Sequence, residues 1–204
     1  MTKDRWAKLM QSMGMPSSLS CYKRLIKAYS ETHRYYHTVA HIEAMLIHFD
    51  KVRNLADSPD EVEIAIWFHD AIYNPLSSSN EINSAQWAKD FLISSGGEAT
   101  VAERVYELIM ATKHDGKIVE NDHKLIVDID LTILGANESV YDEFEANVRK
   151  EYKLIPSVIF RKKRIAILMS FLEEEAIYKL DYFKENFEIQ ARENLNRAIS
   201  HLLK

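Results

Sequence analysis

Cysteine, proline and glycine are scarce in this chain of 204 residues. Cys21 is the only cysteine, so no intramolecular disulfide can form and the usual staple of small extracellular domains is excluded. Four prolines and five glycines leave few points at which a helix must end. Ala, Leu, Glu, Lys and Ile are abundant, which favours long helices over many short strands. The composition therefore predicts an all-α fold.

Long apolar runs and a basic excess are also lacking. No run of ~18 apolar residues exists to span a bilayer, and the first residues, Met-Thr-Lys-Asp-Arg-Trp, lack the apolar core of a signal peptide. We therefore predict a cytoplasmic protein with no membrane partner. The 26 basic and 31 acidic side chains give a net charge of −5, which argues against a nucleic-acid polymer as partner and is silent about a nucleotide. Oligomerisation stays open.

Apolar spacing and turn residues predict about nine helices in a single domain that spans residues 1–204. The chain is long enough to bury one substantial core, and 47% hydrophobic with 28% charged residues is typical of a globular protein. No internal repeat, low-complexity tract or linker interrupts it. We expect residues 33–135 to carry the chemistry and the helices of 138–203 to pack on them.

Histidine and aspartate residues recur in an ordered set along the chain. His37 and His41 are four residues apart, so the helix predicted from about 36 to 55 would place both on one face. His69 and Asp70 follow at the C-terminal end of a second predicted helix, whose start is marked by Ser58 and Pro59 and by Glu61 in a capping box. Imidazole nitrogens and carboxylate oxygens together suit divalent Mn, Fe, Co, Ni or Zn. The set predicts a metal site.

Two aspartates, Asp128 and Asp130, interrupt one of the most apolar stretches of the chain, residues 125–134. Burying a carboxylate there is costly unless a cation or hydrogen-bond donors meet it. At 3.6 residues per turn the two side chains lie about 200° apart, so at most one of them should face the site squarely. The residues alone do not choose between them.

These motifs resemble the signature of the HD-domain superfamily of metal-dependent phosphohydrolases, which is a His, a His-Asp doublet and a distant Asp. The resemblance is carried by Arg-x-Tyr-His-x-x-x-His-Ile at 34–42, Trp-Phe-His-Asp at 67–70 and Asn-Glu-x-x-Ser-Ala at 80–85. These segments look closest to an uncharacterised bacterial group. The resemblance spans about residues 33–135, with a further similar segment at 191–195, and implies one helical HD-type domain. It is specific for fold and metal, and weak for substrate.

The resemblance also implies roles for individual residues. The implied metal ligands are His41, His69, Asp70 and Asp130. Asp130 is preferred to Asp128 because the superfamily's final ligand tends to precede a Leu-rich helical turn. His37 would protonate the leaving oxygen, and Asp70 would bridge two metals or orient the nucleophilic water. The other candidates are Glu81, His114 and Asp128 for a second metal or phosphate, and Arg34, Lys113, Tyr36 and Tyr73 for substrate.

We therefore expect a hydrolase that uses one or two divalent ions (Mn, Fe, Co, Ni, Zn or Mg) to attack a phosphoester or phosphoanhydride bond. The substrate would be a nucleotide or another small phosphorylated metabolite. A metal makes hydroxide from bound water at neutral pH, and a histidine with a pKa near ~6.5 can supply the proton that the leaving group needs. Two alternatives stay open: a regulatory module that binds a nucleotide without hydrolysing it, and a di-iron oxygenase.

Overall fold

The computed structural model describes residues 1–114 and 119–204, and within these ranges the fold is all-helical, with no strand. The all-α prediction is confirmed, and the described part of the chain holds ten α-helices where about nine were predicted. The helices are α1 Lys3–Ser12, α2 Leu19–Tyr29, α3 Val39–Val52, α4 Pro59–Phe68, α5 Asn80–Ser94, α6 Ala99–Ala111, α7 Asn121–Asp130, α8 Glu138–Glu151, α9 Ser157–Glu173 and α10 Asp181–Leu202. Two short 3-10 helices span Arg53–Leu55 and Leu131–Gly135.

The chain divides into two compact units, Met1–Ile129 and Asp130–Lys204. The sequence-based division into a single domain, with the C-terminal helices packed on the part that carries the motifs, stays a prediction. Among the described residues, no helix combines the length and the apolar character that crossing a membrane requires.

Helix α4 is the central helix of the first unit. All residues from Val62 to Phe68 are buried, and the helix lies against α1, α3, α5 and α6. Trp67 meets the ring of Trp6 edge-on at 5.2 Å, and Phe68 stacks on Phe91 at 5.6 Å. Burial on all sides agrees with the nearly uninterrupted apolar sequence of this helix. The C-terminal end of α4 is therefore fixed by a packed core.

The N-terminus of α4 lies where the sequence predicted it, with Pro59 at the first helical position. The predicted capping box is wrong, because Ser58 makes no side-chain capping bond and Glu61 pairs with Arg104 at 2.6 Å. The carboxylate of Asp122 instead accepts hydrogen bonds from the backbone N–H groups of Asp57 and Ser58, at 2.7 and 2.8 Å. Asp122 lies in the first turn of α7, so the starts of α4 and α7 are held together.

Helix α3 begins at Val39, so the prediction that one helix carries both His37 and His41 is wrong. Thr38 is the N-cap residue, with extended backbone angles of −113° and −179°. Its N–H donates to the carbonyl of Tyr36 at 2.7 Å, which closes a tight turn. The carbonyl of His37, which a continuous helix would use internally, accepts a hydrogen bond from Arg34 at 3.2 Å. The hydrogen bond from the Arg34 side chain thus takes the place of the hydrogen bond that a helix would form at the His37 carbonyl.

In the second unit, helix α10 packs closely on the 3-10 helix Leu131–Gly135. A Cβ atom on Gly135 would lie 2.6 Å from the Cβ of Phe187, so only glycine fits there. The side-chain amide of Asn194 donates to the carbonyls of Leu134 and Ala136, at 2.9 and 2.8 Å. These contacts satisfy the carbonyls at the end of the 3-10 helix and fix it against α10.

Candidate metal centre

Two histidines and one aspartate converge near the C-terminal end of α4. His41 lies in the first turn of α3, His69 follows the last residue of α4, and Asp130 is the last residue of α7. One ligand atom from each side chain lies within 4.8 Å of the others. The two Nε2 atoms are 3.2 Å apart. Since two nitrogens on one ion lie at most about 4.2 Å apart, with each ~2.1 Å from the metal, this spacing fits a shared ion.

The carboxylate of Asp70 adds a fourth group. Its Oδ2 atom lies 3.1 Å from Nε2 of His69 and 3.6 Å from Nε2 of His41. With Asp130 it completes a set of two imidazole nitrogens and two carboxylates. This mixed set suits divalent first-row metals, and its chemistry does not choose among them. The residues present therefore fit a divalent ion.

A backbone contact orients the imidazole of His69. Its Nδ1 lies 3.0 Å from the carbonyl oxygen of Ile66. A carbonyl can only accept, so Nδ1 carries the proton and the neutral ring keeps its lone pair on Nε2. Histidines that bind metals commonly donate their second ring N–H in this way. The lone pair of His69 is thus directed towards His41 and Asp70.

The electrostatic surroundings of the site favour a cation. Burial by itself would raise the pKa of the Asp70 carboxyl, but before a metal binds, the protonated forms of His69, His37 and His41, with a hydrogen bond from His69, hold that pKa well below its usual range. Asp70 is therefore ionised at neutral pH. The ends of α4 and α7 carry His69 and Asp130, and the C-terminus of a helix bears partial negative charge. Both effects would stabilise a bound metal ion.

Helix α7 brings Asp130 to the site. The first turn of α7 is fixed beside the start of α4 by Asp122, and both helices contain ten residues. The C-terminal ends of α4 and α7 can therefore lie side by side. Asp128 is fully buried and lies about 200° around the helix from Asp130. In the described part of the chain, the group that could hold a metal contains Asp130 and not Asp128.

The fully buried side chain of Arg34 joins the two segments that carry the histidines. Its guanidinium donates to the carbonyls of Asp70 at 2.7 Å, Ala71 at 3.1 Å and His37 at 3.2 Å. Its Nε donates to Glu31 at 3.1 Å. These contacts support a positioning role for Arg34, which holds the backbone of Asp70, rather than the predicted contact with substrate.

His37 lies beside this group, although it precedes helix α3. Its ring centroid is 6.0 Å from that of His41, and the ring of Tyr73 stacks on it at 4.2 Å. The ring of Tyr36 lies 4.8 Å from that of His41. The predicted proton donor His37 and the predicted substrate-binding Tyr36 are therefore next to the candidate ligand His41, and Tyr73 is next to His37.

Other predicted site residues are placed differently. Glu81 lies in the first turn of α5 and is half-buried, whereas Lys113 and His114 are exposed beyond the end of α6. Within residues 1–114 and 119–204, no group that could hold a metal includes Glu81, His114 or Asp128. Their roles in a second metal or in phosphate binding, and that of Lys113 with substrate, stay predictions.

Sequence reasoning misses three supporting contacts. The first is the hydrogen bond from His69 to the carbonyl of Ile66, three residues earlier. Carbonyls at the end of a helix lack helical partners, so this spacing could have predicted the contact. His33 donates from Nε2 to the carbonyl of Tyr73 at 2.9 Å, and Arg34 reaches Asp70. These two contacts join residues 40 and 36 positions apart, which no local pattern reports.

Comparison with protein-family models, with curated proteins and with solved structures finds no match to this chain. The resemblance to the HD-domain superfamily therefore rests on the motifs in the sequence alone. The case for a metal centre rests on the convergence of His41, His69 and Asp130, with Asp70 beside them.

Proposed function

We propose that this protein is a metal-dependent phosphohydrolase of the HD type that acts on a nucleotide or another small phosphorylated metabolite. The observation that carries the proposal is the position of His37 beside a group that could hold a metal. A group that can deliver a proton and a group that can hold a cation are the two requirements for cleaving a phosphoester at neutral pH. The other residues around the site fit parts of the same reaction.

His41, His69, Asp70 and Asp130 would hold the ion. When bound, the metal would lower the pKa of a water molecule and neutralise charge on the phosphoryl oxygens. Asp70 has a second use, because an ionised carboxylate can accept a hydrogen bond from the attacking water and orient it. Arg34 would keep Asp70 in place through its backbone carbonyl.

His37 would supply the proton to the leaving oxygen from a ring nitrogen. Tyr73 stacks on the His37 ring at 4.2 Å with the two planes 28° apart, which restricts the plane in which the ring nitrogens lie. His33, through its bond to the Tyr73 carbonyl, supports that tyrosine. The half-buried ring of Tyr36 is suited to stacking on a nucleotide base, whereas the buried ring of Tyr73 already stacks on His37.

The test is a screen of protein reconstituted with Mn against phosphate monoesters, phosphodiesters and nucleotide anhydrides, with phosphate or nucleotide product measured. We expect turnover of at least one class, abolished in Asp70→Ala. His37→Gln should lose turnover while it keeps its bound metal, because His37 is not among the proposed ligands. Asp90→Ala removes an exposed carboxylate from α5 and is the matched control, with turnover unchanged.

The proposal would be contradicted if the unaltered protein turned over none of these substrates, or if Asp70→Ala kept the same turnover. Tight binding of a nucleotide that stays intact after long incubation with Mn would favour a regulatory binding module. Two bound irons with oxygen consumption would favour an oxygenase. Each result thus points to a different class of protein.

A further inference from the structure

Helix α9 in the second unit exposes an unusual amount of apolar surface. Only Phe160 and Leu168 are buried in its seventeen residues. Val158 is 68% exposed, Ile159 49%, Ile167 48% and Met169 46%. Single exposed apolar side chains are ordinary, but several on one helix commonly mark an interaction surface.

Four exposed residues of α9 form a continuous line, which we call the α9 stripe: Lys162, Ala166, Met169 and Glu173. Their spacing of four, three and four residues keeps them within about 60° of one another, at ~100° per residue. This is the spacing of the seam by which two helices pair in a coiled coil. The stripe thus has the pattern of a helix that packs against another helix.

The charges on the α9 stripe complement those of a second, reversed copy. Neither the Lys162 nor the Glu173 side chain makes a hydrogen bond or ion pair with another residue in the described ranges. In a parallel pair of α9 helices, Lys162 would face Lys162 and Glu173 would face Glu173. In an antiparallel pair, Lys162 faces Glu173 and the small Ala166 faces the long Met169, and each contact occurs twice. With Lys162 at one end of the stripe and Glu173 at the other, opposite charges meet only in the antiparallel pair.

We propose that two copies of this chain associate through antiparallel pairing of their α9 stripes about a two-fold axis. Met169 of each copy packs over Ala166 of the other, and an ion pair between Lys162 and Glu173 closes each end. Val158 and Ile159 flank the stripe on its two sides and lose water on association. This surface is independent of the metal centre and of the reaction proposed there.

The test is sedimentation velocity over a range of protein concentrations, with Lys162→Glu and Glu173→Lys variants. The unaltered protein should sediment faster as its concentration rises, whereas each variant should remain a monomer because like charges meet at both ends. An equimolar mixture of the two variants should associate again, since opposite charges then meet at both ends, at one end with the original polarity and at the other with the reversed one. Higher salt should weaken association of the unaltered protein.

Lys8→Glu changes the charge equally at an exposed position on α1 and is the matched control, with association unchanged. Circular dichroism melting of each variant checks that it is folded. A monomer at every concentration, association unaffected by both single variants, or a mixture that stays monomeric would each overturn the proposal.

Discussion

The two units bury polar groups in different ways. In the second unit, donors face acceptors: the Asn194 amide meets two carbonyls, and the Glu188 carboxylate accepts from the N–H groups of Ile177 and Tyr178. At the metal centre, by contrast, atoms that can bind a metal lie close to one another. The Nε2 atoms of His41 and His69 are 3.2 Å apart, with a carboxylate oxygen 3.1 Å from the second.

This difference teaches which buried polar groups belong to the fold and which suit a ligand. Donors matched with acceptors stabilise the protein without any further component. A cluster of imidazoles and carboxylates provides several lone pairs in a small volume, which a cation satisfies better than protons can. The second unit should therefore respond to substitution through its stability, and the metal centre should respond through its affinity for metal.

The largest effect on stability is expected for Asn194→Asp, which breaks the matched contacts of the second unit. The substitution places a buried carboxylate against the carbonyls of Leu134 and Ala136, which now receive no hydrogen bond from it. Arg197 still donates to the other side-chain oxygen at 3.0 Å, but two buried carbonyls left without a donor beside a carboxylate oxygen lower the free energy of unfolding by roughly 3 kcal/mol. Urea unfolding measures this loss.

The matched control is Asn196→Asp, on the same helix but exposed to solvent. It should change the free energy of unfolding by less than about 0.5 kcal/mol, as surface substitutions usually do. If the two substitutions had equal effects, the contacts of Asn194 would not stabilise the second unit as described.

A smaller loss of stability is expected for Arg34→Met, a substitution in the first unit. The carbonyls of Asp70, Ala71 and His37 lose their donor, at a cost of about 2 kcal/mol. Affinity for Mn should fall as well, because the backbone of Asp70 is no longer held. Urea unfolding and calorimetric titration with Mn measure the two effects.

Arg24→Met is the control for that change. The exposed Arg24 guanidinium lies 4.8 Å from the centre of the Trp87 ring, a contact worth about 0.5–1 kcal/mol. Its removal should leave affinity for Mn unchanged. Unchanged affinity in Arg34→Met, together with lower stability, would contradict the positioning role of Arg34.

The smallest expected effect on stability is a pH dependence that arises from His48, which lies on α3 two turns beyond His41. Burial, and then the charge of Lys51, lowers the pKa of His48 below its usual value. Below pH ~6.5 the unfolded chain therefore takes up this proton more readily than the folded protein, and the free energy of unfolding falls as the pH drops. NMR titration should show a low midpoint that Mg or Zn does not move.

For comparison, His41 and His69 should stop titrating over the same range once Zn is bound, because the metal competes with protons for Nε2. A His48→Gln variant should show a weaker fall of stability below pH ~6.5. A His48 midpoint above the usual value would contradict the burial that we describe.

The helices could be predicted well because their signals are local. Pro59 marks the start of α4 and the apolar run behind it marks a buried helix, and both features are found. The failures are at positions where a distant side chain decides the local structure. Arg34 donates a hydrogen bond to the carbonyl of His37, just before α3 begins. The carboxylate of Asp122 accepts hydrogen bonds from N–H groups 65 and 64 residues away, at the start of α4.

The candidate site could be predicted only in part. The order of motifs identifies His41 and His69, but residue spacing alone leaves Asp128 and Asp130 as equal choices. Which of them enters the group depends on the rotation of α7, and the contact of Asp122 with the start of α4 helps to fix that helix. Residue spacing does not contain this information, and only the resemblance to the HD-domain superfamily favoured Asp130.

The most direct test of the metal centre is elemental analysis of protein purified without chelators and without a metal-binding tag, compared with a His69→Ala/Asp70→Ala variant. A His48→Ala variant controls for the loss of a histidine outside the site. We predict about one or two equivalents of a divalent first-row metal in the unaltered protein and the control, and none in the double variant. Equal metal in all three proteins, or none in any of them even after reconstitution, would contradict the account.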